Sequence, residues 1–393
     1  MLMHGGFAHM LAERRAEEAR GLASEALERW VGAGLVHQGD AKGERRFDPA
    51  EVINGFKWAG LHGQDDFWRD RWIATGRRLV SEFAALDADG RGQMRVSLTR
   101  RFDLSGFPDG AELLLRTPGP LPGSDHAVLD LQPSASNGAM DHIFVADGRM
   151  TARLRKGSQI SETLGWAATL ARASAAPDPP ELDGEEAALY LRPTEGFIRL
   201  GPRVRELAAL WGEGRTGWDA VLAFRRGMGA CFCLGVVGYE GFDVPGALEW
   251  VLDNGWVDCL LGSALLVSLC RASGLPARLV SGHFLYPLNP SNHAWAEVWI
   301  DGEGWRPVDL IGWDLSAGDT DAALRDSFVG RIDRRLVTER PPRRATGPMS
   351  LRLPPAWRAL QTAVDGGLEI RFVDATSGGT VFVDQIHAGP ASP

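Results

Sequence analysis

Cysteine is scarce in this chain, with four residues among 393. Four thiols cannot form the dense disulfide framework that stabilises small secreted domains. They also lack the paired C-x₂-C spacing of structural zinc sites, so we expect neither a metal nor another cofactor. Sparse cysteine is typical of proteins from a reducing compartment, and the sequence therefore predicts a cytoplasmic location.

Long hydrophobic runs and an excess of positive charge are also missing. No stretch approaches the ~20 uninterrupted apolar residues of a membrane helix, and residues 1–8 lack the basic and apolar regions of a signal peptide. Lys and Arg total 42 against 51 Asp and Glu, which gives a net charge of −9. This balance disfavours binding to nucleic acid or to an anionic membrane, and we expect neither partner.

The residue patterns divide the chain into four segments. Residues 1–88 carry apolar residues at helical spacing, over 9–31 and 48–86, and predict an N-terminal helical segment. Residues 89–198 alternate between apolar and polar in short runs separated by Pro/Gly turns, which predicts an antiparallel β domain. Residues 199–330 form a mixed core that begins with helices, and residues 331–393 form a β-containing extension packed on that core.

The core contains a stretch with the residue types of a thiol active site. Residues 260–272 are apolar nearly all round and predict a buried helix, with Asp258 as a possible N-cap and Gly274 as the C′ residue. Cys259 then occupies the first turn, where free N–H groups and the helix dipole stabilise a thiolate. A lone cysteine there would usually be inert and buried, and only accompanying catalytic residues would indicate a nucleophile.

Those residues follow in the next two predicted strands. His293 begins an alternating run that ends at Ile300, and after a turn at 301–304 the chain returns to Asp309. His293 and Asp309 therefore lie at the same end of one predicted hairpin. A cysteine at a helix start, a histidine on a neighbouring strand and a carboxylate to orient the imidazole form the arrangement that activates a thiol nucleophile.

The order and spacing of these motifs resemble the catalytic core of the transglutaminase-like superfamily, the papain-like cysteine acyl-transfer enzymes. The resemblance covers about 60 residues closely and extends more loosely over residues 90–390. The matching motifs are Cys259, the run Arg271-Ala272-Ser273-Gly274-Leu275-Pro276-Ala277-Arg278, Gly282, the run His293-Ala294-Trp295-Ala296-Glu297, and the run Gly304-Trp305-Arg306-Pro307-Val308-Asp309.

The resemblance implies an α+β fold in which the helix with the nucleophilic cysteine packs on an antiparallel sheet. Carried over by position, it implies Cys259 as the nucleophile, His293 as the general base and acid, and Asp309 as the residue that orients His293. It further implies an acyl-enzyme formed from an amide or a thioester. The acyl donor would be a peptide, a protein or a small molecule, including a carrier-bound thioester, and the acceptor water or an amine.

The assignments around this triad are more open. The backbone N–H of Cys259 is the natural first oxyanion donor, and the second is either the Asn254 side chain or the Trp256 indole. Trp295 and Trp305 are interpreted as core or as walls of a substrate cleft. Two further motif residues are interpreted as structural: Arg278 as part of an internal ion pair and Gly282 as a close backbone approach.

Two other interpretations compete with acyl transfer. One is a non-catalytic binding module on the same scaffold, which retention of all three triad residues disfavours. The other is a metal-dependent hydrolase, with ligands drawn from Cys259, His283, His293 and Asp309, although no H-x-x-x-H pair accompanies them. Outside this stretch, Cys231 and Cys233 are predicted to share one face of a strand as packed thiols, with Cys270 in the core.

The hairpin raises a problem of register. With residues 301–304 as a four-residue loop, Asp309 would face away from His293, because side chains alternate strictly along paired strands. The sequence therefore predicts an extra residue, as a five-residue connection or as a bulge near Pro307, unless Asp309 lies just beyond the paired region. If Asp309 pointed away, Glu297 or Asp314 would be the next candidates to orient His293.

Overall fold

The computed structural model describes residues 24–47, 51–55, 70, 74, 77, 93–136, 144–172, 181–239, 242–285, 291–310, 335–341 and 357–390, apart from single residues within these ranges. Most of the helical segment predicted over 9–31 and 48–86 lies outside them, as does Asp314. Residues 27–32 are helical as expected. In the described part of the chain, no helix has both the length and the apolar character needed to span a membrane.

The fold mixes helices with antiparallel sheets, as predicted. The labelled helices are α1 (Gly184–Tyr190), α2 (Pro202–Gly212), α3 (Gly217–Cys231), α4 (Ala247–Asn254) and α5 (Cys259–Ala272). The strands are β1 (Gln38–Ala41), β2 (Glu44–Phe47), β3 (Gln93–Asp103), β4 (Glu112–Pro118), β5 (His126–Ala135), β6 (Phe144–Ala146), β7 (Arg149–Arg155), β8 (Ser161–Arg172), β9 (Thr194–Glu195), β10 (Ile198–Arg199), β11 (Cys233–Leu234), β12 (Trp256–Val257), β13 (Ala277–Phe284), β14 (Ser291–Ile300), β15 (Gly304–Val308), β16 (Arg335–Glu339), β17 (Trp357–Val364), β18 (Gly367–Asp374) and β19 (Thr380–Pro390).

The chain divides into two compact units. The first unit comprises residues 1–88, 180–279 and 295–332, and the second unit comprises residues 89–179, 280–294 and 333–393. β13 and β14 each begin in one unit and end in the other. The four segment boundaries drawn from the sequence stay predictions.

The second unit is built on a six-stranded antiparallel sheet with the order β17-β18-β19-β3-β8-β5. β18 and β19 form the C-terminal hairpin of the β-containing extension, and β19 pairs with β3 over nine residues, from Phe382↔Phe102 to Pro390↔Met94. Strands from two distant parts of the sequence therefore share one sheet. Their inward-facing apolar residues belong to one common core.

A buried ion pair interrupts that apolar core. Val96, Leu98 and Arg100 alternate inward from β3, and the Arg100 guanidinium donates to both carboxylate oxygens of Asp384 at 2.6 Å. The guanidinium also lies 4.1 Å from the centre of the Phe382 ring. Both charges are buried, and the two hydrogen bonds of this bidentate ion pair offset the free-energy cost of removing the charges from water.

The first unit is mainly helical around α5. Every residue of α5 from Leu261 to Arg271 is buried, which confirms the buried helix expected from its apolar sequence. α2, α3 and α4 pack around it. α2 begins with Pro202 in its first turn, where backbone N–H groups have no partner within the helix, so the lack of an N–H in proline costs no hydrogen bond.

One expected element is different. Cys231 is the last residue of α3 and is exposed, while Cys233 begins β11 and is half-buried. The prediction of two packed thiols on one strand face was therefore wrong. The apolar spacing of Ala220, Phe224 and Met228 continues the helix to residue 231, and the strand begins only after Phe232.

His283 on β13 is a buried histidine inside the second unit. It is 1% exposed, and its Nδ1 atom has no hydrogen-bond partner among the residues that the structure describes. Burial, together with the positive charge of Arg100, lowers the pKa of His283 to about 3. The folded protein therefore holds a neutral imidazole at every pH at which it is ordinarily studied.

The lowered pKa of His283 predicts a loss of stability in acid. Between pH 6.5 and about 3, the unfolded chain binds one proton that the folded chain does not. The free energy of unfolding should then fall with decreasing pH by at most about 1.4 kcal/mol per unit from this group. The His283→Leu variant should lose that dependence, measured by urea unfolding from pH 7 to pH 4.

His387→Leu is the matched control, because His387 is exposed on β19 of the same unit. Its unfolding free energy should follow the wild-type pH profile. Parallel profiles for wild type and His283→Leu would contradict the prediction.

Candidate active site

Cys259 is the first residue of α5 and is half-buried. Asp258 is the N-cap, as expected, and its Oδ1 accepts hydrogen bonds from the N–H groups of Leu260 at 3.0 Å and Leu261 at 2.8 Å. The cap satisfies two of the N–H groups that a helix start leaves unpaired. The thiol therefore lies at the positive, half-buried end of a helix whose remaining turns are buried.

The other end of α5 aims the chain into β13. Gly274 has a φ of +80°, and its N–H donates to Arg271 O while the N–H of Leu275 donates to Cys270 O. These two bonds form a Schellman motif, which confirms Gly274 as the C′ residue. Burial raises the pKa of the Cys270 thiol to about 12, consistent with a core residue rather than a second nucleophile.

Asp309 lies in the same unit as Cys259 and immediately follows β15. It is 2% exposed, and its carbonyl oxygen accepts a hydrogen bond from Arg225 on α3 at 3.2 Å. The next residue, Leu310, packs against Gly262, where any Cβ would overlap the Leu310 side chain. Since residues 259 and 262 share one face of a helix, the thiol face of α5 is directed toward the end of β15.

The register of the hairpin resolves the problem of alternation. β14 and β15 pair from Ile300↔Gly304 to Ala296↔Val308, so the connection is the three-residue loop 301–303. As predicted, the loop is not a four-residue connection, and Asp309 lies just beyond the paired residues, as one alternative had it. The other two alternatives, a five-residue connection and a bulge, were wrong, because Gly302 and Gly304, at φ of +77° and +80°, allow a shorter loop. Continued by one residue, this register places Asp309 opposite Trp295, so its position shares a face with the odd-numbered residues of β14.

His293 lies near the start of β14, in the part of that strand that belongs to the second unit. It is 3% exposed, and its ring centre lies 5.6 Å from that of Phe284. One residue separates it from Trp295, so strand alternation puts both on one face. Its role as the base stays a prediction.

The other motif residues form a structural cluster. Arg278 donates to Glu297 Oε2 through Nε at 2.8 Å, and its guanidinium lies 3.8 Å from the centre of the Trp305 ring. This is the internal ion pair expected of Arg278. It also occupies Glu297, which leaves that carboxylate unsuited to orient His293.

Gly282 shows the close backbone approach that was expected. A Cβ atom at this position would overlap the carbonyl oxygen of Leu336 on the paired strand β16. Only glycine fits this contact between two backbones.

The predicted cleft and oxyanion residues lie in varied settings. Trp295 is 2% exposed and belongs to the core rather than to a cleft wall, whereas Trp305 is half-buried beneath the Arg278 guanidinium. The side-chain amide of Asn254 donates to Trp250 O on its own helix at 2.8 Å. Trp256 is half-buried, and its backbone pairs with that of Cys233. Among the described residues its indole N–H donates to no other group, whereas the Asn254 amide is already engaged, so Trp256 is the more available of the two proposed second donors.

Sequence reasoning missed two residues: Tyr239, which contacts the N-cap of α5, and Asn54, which holds the backbone of Val236 just after β11. The Tyr239 hydroxyl donates to Asp258 Oδ2 at 2.7 Å. The Asn54 side chain bonds both to the carbonyl oxygen of Val236 at 2.8 Å and to its N–H at 2.7 Å. Neither contact has a local signal, since 19 and 182 positions separate the partners. Among the residues that the structure describes, no group of three His, Cys, Asp or Glu side chains is arranged to hold a metal ion.

Residues 236–310 match the family model of the Transglutaminase-like superfamily, a range that contains Cys259, His293 and Asp309. This part of the chain is therefore transglutaminase-like, in agreement with the resemblance seen in its motifs. No curated protein matches the chain.

Several solved structures resemble the fold at low sequence identity. A Cytophaga hutchinsonii protein, named provisionally as a cysteine protease, aligns over 75% of this chain and 97% of its own, at 13% identity and a TM-score of 0.44. The periplasmic domain of TgpA from Pseudomonas aeruginosa aligns over 62% of this chain and 95% of its own, at 16% identity and a TM-score of 0.33. These likenesses give no information on substrate.

The Arg278–Glu297 pair yields a prediction about stability. Both side chains are buried, so Arg278→Gln would leave the Glu297 carboxylate without this cation and should lower the free energy of unfolding by about 3 kcal/mol. The control is Arg306→Gln on β15. The half-exposed ion pair of Arg306 with Glu303 should contribute about 0.5 kcal/mol or less to the free energy of unfolding. Equal losses for the two variants, measured by urea unfolding, would contradict the structural role.

Proposed function

We propose that this protein is a cysteine-dependent acyl-transfer enzyme in which Cys259, His293 and Asp309 form a catalytic triad. The observation that carries the proposal is the first-turn position of Cys259 on α5, inside a segment that matches the Transglutaminase-like superfamily. The hairpin register supports it, since the register continued by one residue beyond Val308 would put Asp309 on the face of the odd-numbered residues of β14.

In the proposed reaction, His293 takes the proton of the Cys259 thiol, and the thiolate attacks the carbonyl carbon of an amide or thioester. The tetrahedral oxyanion is stabilised by the Cys259 backbone N–H and a second donor, for which Trp256 is preferred over Asn254. The imidazolium then protonates the leaving amine or thiol, and the acyl group remains on sulfur. Water or an amine, deprotonated by His293, attacks the thioester and regenerates the thiol.

Asp309 would hold the His293 imidazole in the productive tautomer. Its burial and the anchoring of its backbone by Arg225 support this role, because an orienting carboxylate must itself be fixed. The acyl donor is proposed to be a peptide, a protein or a small molecule, including a carrier-bound thioester. A cytoplasmic location belongs to the same proposal, and it rests on the sparse cysteines.

The test is intact-mass spectrometry after incubation with a panel of amides and thioesters. Wild type should form an acyl adduct that maps to Cys259, and Cys259→Ala should form none. His293→Ala should slow adduct formation by a factor on the order of 10²–10⁴, because the general base is lost. Asp309→Asn should retain more activity than His293→Ala, since it disturbs only the orientation of the imidazole.

Cys231→Ala is the matched control, because Cys231 is exposed and lies outside the proposed triad. It should form the acyl adduct at the wild-type rate. Adducts that persist in Cys259→Ala, or an undiminished rate in His293→Ala, would contradict the mechanism. The absence of any adduct in wild type would favour the alternative of a non-catalytic binding module.

A further inference from the structure

The carboxylate that caps α5 is the charged group closest in sequence to the proposed nucleophile. Asp258 directly precedes Cys259, and its Oδ1 is held by the N–H groups of Leu260 and Leu261. A carboxylate in this position is favourable for the helix but unfavourable for a neighbouring thiolate, because two negative charges repel in a poorly solvated site. The remaining oxygen of Asp258 therefore matters for the chemistry.

That oxygen accepts a hydrogen bond from Tyr239. The Tyr239 hydroxyl lies 2.7 Å from Asp258 Oδ2. Desolvation of the hydroxyl, with the charges of Asp258 and Cys259, raises the pKa of Tyr239 well above its usual value. Tyr239 thus stays protonated and acts as a donor to the carboxylate across the working pH range.

The segment that carries Tyr239 is fixed from several sides. β11 pairs with β12, and the N–H of Gly235 donates to Val257 O at 2.7 Å. Asn54 then holds both backbone groups of Val236. This anchoring, three residues before Tyr239, comes from the N-terminal segment of the chain.

The Tyr239 ring is fixed as well. Its centre lies 5.8 Å from that of Phe197 and 5.6 Å from that of Phe242. One edge of the ring reaches solvent, with 37% of the residue exposed, while the hydroxyl is directed to Asp258. The hydroxyl is therefore held in place before any substrate binds.

We propose that Tyr239 is a positioning residue for the nucleophile, which spreads the Asp258 charge by hydrogen bonding and so favours the thiolate of Cys259. Tyr239 acts through Asp258 and does not contact the reacting atoms in this scheme. The inference rests on the proposed function, in which Cys259 is the nucleophile. Among the described residues, the titratable groups at the start of α5 are Tyr239, Asp258 and Cys259. The proposed triad adds His293 and Asp309.

The test measures the rate at which iodoacetamide alkylates Cys259 as a function of pH, read by peptide mass mapping. Tyr239→Phe should move the pH of half-maximal rate upward by about one unit, because a hydrogen bond to a charged group is lost. Asp258→Asn keeps an oxygen for the cap but removes the charge, so it should move the half-maximal pH downward. Thermal unfolding of each variant verifies that it is folded.

A double-mutant cycle separates the proposed coupling from a general structural effect. If Tyr239 acts through the Asp258 charge, adding Tyr239→Phe to Asp258→Asn should cause little further shift. An equal shift in both backgrounds, or no shift with Tyr239→Phe alone, would overturn the inference. Tyr190→Phe is the matched control, since it removes a hydroxyl from a ring that packs on Trp305 in the same unit, and it should leave the half-maximal pH unchanged.

The outcome does not depend on turnover. Alkylation reports only the thiol, and the shift is a comparison between variants, so it decides the role of Tyr239 whatever substrate the protein uses. The proposed function fails separately, if no acyl adduct forms on Cys259.

Discussion

The structure around Cys259 depends on how α5, whose middle is buried, satisfies its own ends. The terminal N–H and C=O groups of α5 have no partners within the helix, so Asp258 caps one end and a Schellman turn at Gly274 closes the other. The cap places Cys259 at the positive end of the helix dipole. The turn directs the chain into β13, where Arg278 follows after three further residues.

The capping carboxylate creates a conflict between stability and chemistry. A negative charge stabilises the start of the helix, yet the same charge opposes a thiolate on the next residue. Burial raises the pKa of Asp258, whereas hydrogen bonds from Leu261, Tyr239 and Leu260 lower it. Three donors therefore share this one carboxylate, two from the helix start and one from Tyr239.

The hairpin places its structural groups on one face of the paired strands. Glu297 and Trp305 receive the Arg278 side chain, one by ion pairing and the other by stacking. The register, continued by one residue beyond Val308, would put the position of Asp309 on that same face. A change of one residue in loop length would send one strand's side chains to the opposite face, so the three-residue loop is as important as the motif residues themselves.

Much of the local structure follows from the sequence alone. The buried helix, its cap at Asp258, its end at Gly274 and the hairpin strands have short-range causes in residue type and spacing. The motif likeness of residues 259–309 also depends only on order along the chain. The predicted loop length of the hairpin was wrong, because a glycine-rich turn admits several lengths. The prediction of a strand at Cys231 was also wrong, because the helical pattern of α3 extends to that residue.

Only the tertiary structure decided the contacts between residues far apart in sequence. It joined β19 to β3, paired Arg100 with Asp384, and brought Asn54 and Tyr239 to the segment that precedes Cys259. Such contacts carry no local pattern, because they depend on which buried polar groups need partners after the apolar faces have packed. Residue types and spacing thus determined the candidate nucleophile, and packing determined the charges and donors around it.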